Sequence, residues 1–389
     1  MTGYPDDHAR TLKDLAELEE RSRPMPTEVS TRVRTAFRRY HLATLTGLEA
    51  DFDRARAYVN ALVTELGPRE DLCLLQAQIE GRYHRLDLIE EVLQACPSLA
   101  QRAEGRSVQA DIDFQEGRYQ AAREALEQLV AEREAWDDLA RLAHWKSEMG
   151  ERDEADALLE RAEDQLSAKE MRSYAWLELR RGALALSRGD LPRTRFHYER
   201  ASSAFPGYWR TDTHLVELLI EEQQDDAAVI LMRDVVARAP KPELQQAFGD
   251  ILVCVGRAEE AAPFFQAAEQ AYLSSVAAGG VHYYHHLSDY YGGWAGRPVE
   301  AAEYAQKDLV LRDNYTTQSA LAWCHLQAGQ IKDGILQIQR ALDSGAQVAG
   351  IHRTAAKLFE AAGYNAQAKE HQDRAAALSP HPRRFHMHH

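Results

Sequence analysis

The stretch Gly117-Arg-Tyr-Gln-Ala-Ala122 contains the motif from which the fold can be predicted. In it, a glycine is followed two residues later by a tyrosine and five residues later by an alanine. Related stretches recur along the chain at a mean spacing of about 35 residues. The clear copies begin at Gly117, Gly150, Gly256, Gly296 and Gly363, and the weaker ones at Ala50, Gly81, Gly189, Gln223 and Gly329. A glycine can end one helix in a left-handed conformation, and small residues let the next helix pack closely against it. The period therefore predicts a series of helix pairs.

Other positions of the repeat agree with this prediction. Pro206, Pro240 and Pro380 each stand seventeen residues after an anchor, where a proline would end the second helix of a pair. The pattern resembles the tetratricopeptide repeat, whose unit is a 34-residue helix pair. The resemblance implies an all-α, right-handed α-solenoid of about ten helix-turn-helix repeats that forms one continuous domain over residues 31–380.

Two terminal segments fall outside the repeat. In residues 1–30, Leu12, Leu15 and Leu18 stand at helical spacing and predict one leader helix that caps the first repeat. This segment is too short to be a DNA-reading domain. Residues 381–389 could form a metal-binding tail, a docking peptide or a solvated end, and a plain solvated tail is the preferred interpretation. The histidines of this tail are His381, His386, His388 and His389.

Composition excludes several classes of protein. The formal net charge of −15 argues against a general affinity for nucleic acid or anionic membrane. No apolar run approaches the roughly 18 residues of a membrane span, and the N-terminus lacks the features of a signal peptide, so we expect a soluble, cytoplasmic protein. The cysteines are too widely separated for a disulfide scaffold or a Cys-based zinc site, and are Cys73, Cys96, Cys254 and Cys324.

Catalytic motifs are absent from the sequence. It contains no phosphate-binding loop, no nucleophile elbow and no zinc-protease helix. The preferred hypothesis is therefore a non-enzymatic scaffold that binds a protein or peptide partner in a concave groove. Self-association through the faces or ends of the solenoid remains an alternative.

The first helices of the repeats would line this groove, as the resemblance implies. The predicted groove residues of the middle repeats carry six acids against one arginine and one histidine, and they are Glu104, Asp111, Asp137, His144, Arg210, Glu217, Glu243 and Asp250. This balance predicts an acidic groove and a basic partner, although an acidic protein also scatters acids everywhere. The lysines and asparagines with which chaperone adaptors of the family grip acidic peptides are missing. Trp323 is the candidate aromatic anchor, with buried helix packing as its alternative.

The densest chemistry lies between Val281 and Tyr291. If this stretch is helical, then His282, His285 and Asp289 form one stripe that faces the groove. Two imidazoles and a carboxylate could hold a zinc, nickel or copper ion, or act on a bound ligand. The preferred interpretation is aromatic and histidine packing between helices, so the sequence requires no cofactor, and a metal- or small-molecule-binding protein is the alternative function.

Overall fold

Helices account for the regular structure of the protein. The computed structural model describes residues 3–22, 28–167, 169–379 and 384–385, and within them it contains 22 α-helices, one short 3-10 helix at Ala258–Glu260 and no strand. The helices are α1 (Tyr4–Ser22), α2 (Val29–Thr46), α3 (Glu49–Leu66), α4 (Glu70–Arg82), α5 (Leu86–Ala95), α6 (Pro97–Gln101), α7 (Ala103–Gln115), α8 (Tyr119–Arg133), α9 (Trp136–Glu148), α10 (Arg152–Asp164), α11 (Met171–Ser187), α12 (Leu191–Ala204), α13 (Trp209–Glu221), α14 (Asp225–Arg238), α15 (Pro242–Cys254), α16 (Ala262–Ala277), α17 (Tyr284–Gly292), α18 (Pro298–Leu311), α19 (Tyr315–Gln327), α20 (Ile331–Asp343), α21 (Ala349–Ala361) and α22 (Asn365–Leu378).

The helices form ten consecutive pairs after the leader helix α1, which confirms the predicted helical solenoid. Pairs 1 to 10 are α2/α3, α4/α5, α7/α8, α9/α10, α11/α12, α13/α14, α15/α16, α17/α18, α19/α20 and α21/α22. The short helix α6 is an addition between pairs 2 and 3. The architecture is therefore that of a tetratricopeptide-like solenoid with one pair for each sequence anchor.

The anchors have the backbone that the sequence predicts. Seven anchor glycines have φ between +62° and +90°, which L side chains rarely adopt, and they are Gly117, Gly150, Gly189, Gly256, Gly296, Gly329 and Gly363. The alanine five residues after the anchor is fully buried in six repeats, at Ala55, Ala122, Ala155, Ala228, Ala261 and Ala301. A left-handed turn and a small buried residue thus fold each second helix back onto the first.

The later pairs stack on the earlier ones. Hydrogen bonds join pairs 1, 3 and 4 to pairs 7, 9 and 10, each of which lies six pairs further along the chain. Ser275 Oγ donates to Glu49 Oε1 at 2.7 Å, Asn314 Nδ2 donates to the Gln115 carbonyl at 2.9 Å, and the Gln347 amide donates to the Glu148 carbonyl at 2.8 Å. An apolar cluster that includes Tyr315 and Ile351 also packs against Phe114 and Met149. The solenoid therefore closes one turn in about six pairs and lays its second turn on its first.

The two ends of the chain are partly described. In the leader, the Tyr4 amide donates to the Pro206 carbonyl at 2.9 Å, so α1 packs against the link between pairs 5 and 6 rather than only capping pair 1. Of the C-terminal tail, Arg384 forms an ion pair with Asp225 at 2.8 Å and Phe385 packs against an apolar cluster. The predictions for His381, His386, His388, His389 and Pro380 lie outside the described residues.

Candidate functional site

A central cavity of about 1340 Å³ lies inside the solenoid. Its wall combines side chains from the leader helix with side chains from the first helices of pairs 1 to 8. Residues far apart in sequence, such as Arg38, Arg141 and His285, therefore share one wall. The curvature of the solenoid brings these side chains around one half-open cavity, where the sequence predicted a long groove.

The wall of the cavity carries more cations than acids, whereas the sequence predicted an acidic groove. Among the described residues, nine lysines and arginines line the cavity, and they are Arg10, Arg38, Arg82, Arg141, Lys169, Arg172, Arg180, Arg210 and Lys241. Five acids of the same part of the chain line it, and they are Asp7, Asp111, Asp137, Glu170 and Glu243. In a chain with a net charge of −15, this excess of cations at one place is a local concentration that composition cannot show. The prediction of an acidic groove is wrong for this cavity.

Five predicted groove residues lie in the wall: Asp111, Asp137, His144, Arg210 and Glu243. The three acids are already paired, because Arg141 lies 3.0 Å from Asp111 and 2.9 Å from Asp137, and Lys241 Nζ lies 2.8 Å from Glu243. Burial alone would raise the pKa of Glu243, but the Lys241 ammonium holds it below its usual value. These carboxylates are thus engaged in internal ion pairs rather than available to a basic partner.

The other four predicted groove residues lie outside the cavity wall, and they are Glu104, Glu217, Asp250 and Trp323. Glu217 is buried, with its carboxylate 3.3 Å from His214. Burial and the nearby Asp289 carboxylate raise the pKa of Asp250 to about 7. Trp323 is half-buried beneath the Lys357 ammonium, which lies 4.6 Å from its ring centre. Of the predicted set, the structure therefore brings Asp111, Asp137, His144, Arg210 and Glu243 to one site.

Four wall cations form no ion pair with a carboxylate in the described residues, and they are Lys169, Arg172, Arg180 and Arg210. Of these, Arg172 donates hydrogen bonds to the hydroxyl and the carbonyl of Thr44. Burial, followed by the Arg180 charge, lowers the pKa of His144 to about 4, so its imidazole is neutral at pH 7. Arg180 Nη2 lies 3.0 Å from Nδ1 of this imidazole, which can accept a hydrogen bond. Arg210 Nε is buried without a hydrogen-bond partner among the described residues. The guanidinium groups of Arg180 and Arg210 therefore keep a positive charge that no carboxylate of the described residues neutralises, and N–H groups that can donate to a ligand.

Tryptophans stand beside these cations in the wall. The Arg180 guanidinium lies 5.9 Å from the ring centre of Trp176, and Arg210 lies 5.2 Å from that of Trp209. The rings of Trp136 and Trp176 meet edge to face at 6.1 Å. Cations held against aromatic faces keep their position while their remaining N–H groups face a ligand. Arg180, Trp136 and Trp176 were not among the residues predicted from the sequence, although their position on the first helices of pairs 4 and 5 indicates an inward-facing side chain.

The predicted metal stripe does not come together. His282 precedes α17, and its Nε2 lies 3.6 Å from Glu49. Asp289 accepts a hydrogen bond from Gln246 Nε2 at 2.8 Å. His285 instead lies beside His84, with 5.3 Å between ring centres. Since the three side chains have different neighbours, His282, His285 and Asp289 are not a common ligand set. His282 instead packs against the rings of Tyr83 and Tyr283, as the preferred interpretation predicted.

No protein-family model matches the chain, and no curated protein matches it in sequence. Among solved structures, it is similar to a chain of the APC/C hetero-tetramer Cut9-Hcn1, with 14% identity and a TM-score of 0.46 over 92% of this chain and 72% of that one. It is also similar to pilF of Pseudomonas aeruginosa, with 18% identity and a TM-score of 0.34 over 56% of this chain and 96% of that one. At these values neither similarity indicates what this chain binds. In the described ranges, no helix is both long and apolar enough to cross a bilayer.

Proposed function

We propose that the protein is a non-catalytic binding scaffold whose central cavity holds an acidic segment of a protein partner. The observation that carries this proposal is the pair of arginines, Arg180 and Arg210, that face the cavity without a carboxylate partner. A buried guanidinium loses hydration and regains it best from a carboxylate, which it can bind through two parallel hydrogen bonds. The occupant that completes this wall is therefore an anion.

The size and lining of the cavity favour a peptide segment over a small molecule. Pockets for small ligands measure roughly 300–1,000 Å³, and this cavity exceeds that range at about 1340 Å³. Trp136 and Trp176 add flat apolar surface, on which the side chains or backbone of a peptide can pack. An acidic residue flanked by apolar residues would use both the arginines and the tryptophans.

This proposal reverses the expected charge of the partner. The acids that suggested a basic partner are held by Arg141 and Lys241, as described above. The outer surface of a chain with net charge −15 would still repel an acidic partner at long range. We therefore expect binding to depend on salt at the cavity while remaining selective for segments that fit inside it.

A pool of fluorescein-labelled octapeptides tests the proposal. One pool combines Asp and Glu with apolar positions, and a matched pool carries Lys and Arg at the same positions. Fluorescence anisotropy should show saturable binding of the acidic pool, weakened by added salt, and no saturable binding of the basic pool. Binding of the basic pool alone would overturn the proposed charge of the partner.

Paired variants locate the binding site. The double change Arg180→Gln and Arg210→Gln should weaken binding of the acidic pool by roughly tenfold or more, since a hydrogen bond to a charged group is worth about 1.5–3 kcal/mol. The matched control changes Arg106 and Arg161 to Gln, which removes the same charge from surface ion pairs with Glu132 and Glu134. An equal loss of affinity in both double variants would show that net charge, and not the cavity, governs binding.

A further inference from the structure

His84, His285 and Asp308 bring one ligand atom each to within 4.8 Å of one another. Among the described residues, no other group of three His, Cys, Asp or Glu side chains brings its ligand atoms this close together. We propose that these three residues form a transition-metal site. The site shares only His285 with the stripe that the sequence predicted, and metal binding here does not require that a peptide binds in the cavity.

The backbone places His84 for this role. The residue lies in the turn between α4 and α5 with φ of +56°, a left-handed conformation that is uncommon outside glycine. Its Nδ1 is buried and has no hydrogen-bond partner among the described residues. An unsatisfied imidazole nitrogen in a strained turn costs free energy that a bound metal would recover.

Asp308 supplies the carboxylate from α18. It is buried, and Arg312, which directly follows this helix, holds it with hydrogen bonds of 2.7 and 2.9 Å to its two oxygens. Each carboxylate oxygen has two lone pairs, so one oxygen can accept from Arg312 and still bind a metal. A partner that fixes the orientation of a ligand in this way is common around metal centres.

The types of ligand atom select the kind of metal. The site offers the oxygens of one carboxylate, Asp308, whereas Ca²⁺ and Mg²⁺ need several oxygen ligands. Two imidazoles and one carboxylate suit Zn²⁺, Ni²⁺, Cu²⁺ or Co²⁺ instead.

A metal here would tie the two turns of the solenoid together. His84 belongs to pair 2, whereas His285 and Asp308 belong to α17 and α18 of pair 8. The metal would therefore bridge pairs six apart, at the level where His84 and His285 also line the central cavity. Because this ligand set exists only in the stacked arrangement, binding should raise the stability of that arrangement.

Titration of the metal-stripped full chain with Zn²⁺, and separately with Co²⁺, tests the proposal. Since the tail histidines could also bind metal, the chain used carries His381→Ser, His386→Ser, His388→Ser and His389→Ser. We expect one Zn²⁺ per chain by calorimetry, a higher thermal midpoint with Zn²⁺ than without, and visible absorption bands from protein-bound Co²⁺. Absence of stoichiometric binding in this chain would overturn the proposal.

Further variants of this chain distinguish the proposed ligands from their neighbours. His84→Asn keeps a residue that tolerates the left-handed turn, and His285→Gln keeps a good helix former. Each should lower Zn²⁺ affinity at least tenfold and abolish the Co²⁺ bands, whereas His282→Gln should change neither. Binding that survives His84→Asn but is lost in His282→Gln would assign the metal to the predicted stripe and contradict the site proposed here.

Discussion

The main-chain amide of Tyr315 donates a hydrogen bond to the hydroxyl of Tyr119 at 2.8 Å, although 196 residues separate the two in sequence. Tyr315 begins α19 in pair 9, and Tyr119 begins α8 in pair 3. The first amides of a helix have no partner within the helix. Here the Asn314 side chain accepts from the next two amides, and Tyr119 accepts from the first. The start of one helix is thus completed by a side chain from the turn of the solenoid below it.

Removal of this hydroxyl should weaken the stacking of the two turns. In Tyr119→Phe the ring remains, but the Tyr315 amide is left buried without an acceptor, which costs about 1–2 kcal/mol. The midpoint of urea unfolding, followed by circular dichroism, should fall accordingly. Tyr364→Phe is the matched control, because Tyr364 is 54% exposed and its hydroxyl should contribute little. Equal midpoints for the two variants would show that the stacking contact does not contribute to stability.

Gly117 combines two constraints, and a comparison with Gly363 separates them. Both glycines have a positive φ, +75° and +80°, so alanine at either position should cost about 1 kcal/mol through backbone strain. A Cβ at Gly117 would also lie 2.8 Å from the Asp313 carbonyl oxygen of the second turn, whereas a Cβ at Gly363 would meet nothing within 4 Å.

Gly117→Ala should therefore lower the urea midpoint clearly more than Gly363→Ala. Small-angle X-ray scattering should in addition show a larger radius of gyration for Gly117→Ala, if the second turn lifts from the first. Two variants with the same midpoint and the same radius would mean that the approach of Asp313 to Gly117 adds no constraint.

The pairs could be predicted from the sequence because their causes are local. The glycine that ends each first helix and the alanine that packs under each second helix lie five residues apart, as in Gly117 and Ala122. The closure of the solenoid could not be predicted in this way. It depends on a small rotation at each interface, summed over about six pairs, and no single repeat encodes that sum.

The site was only partly predictable for the same reason. The inner position of Asp111, His144 and Glu243 follows from helical register and was predicted. Their charge environment does not follow, because Arg10 and Arg38 reach the cavity from the leader helix and pair 1 only after the solenoid closes. The ligand set of His84 with Asp308 also depends on closure, since its members are 224 residues apart in the chain.

Asp250 should make stability fall as pH rises through the acidic range. Burial and the Asp289 carboxylate raise its pKa from 3.8 to about 7, so between these values the folded protein holds a proton that the unfolded chain releases. Its carboxyl group therefore favours folding below about pH 4 and increasingly opposes it up to about pH 7. Asp250→Asn removes this cost, and we expect it to stabilise the protein at pH 7.5 by roughly 1–3 kcal/mol.

Urea unfolding at pH 4 and pH 7.5 provides the internal reference for Asp250→Asn. At pH 4 the carboxyl group is largely protonated in the folded protein, so the variant should differ little from the unchanged protein there. A gain that is equal at both pH values would reflect packing of the amide and would contradict a titrating carboxyl group at this position.

His144 should have the opposite dependence. Its pKa is lowered from 6.5 to about 4 by burial and by the Arg180 charge, so between these values the unfolded chain binds a proton that the folded protein does not. The stability that its neutral ring contributes is therefore complete above about pH 6.5 and is lost as pH falls towards 4. Because His144 lines the cavity and its side chain is 41% exposed, we expect this loss to be only about 1 kcal/mol.

The difference between His144→Gln and the unchanged protein isolates this effect from the opposing one of Asp250. Glutamine retains a side-chain oxygen that can accept from Arg180, so at pH 8 the two proteins should differ only by packing. As pH falls from 6.5 to 4, the unchanged protein should lose stability relative to the variant. A stability difference that stays constant over this range would show that His144 titrates alike in the folded and unfolded chain, and that its ring is not the neutral acceptor for Arg180.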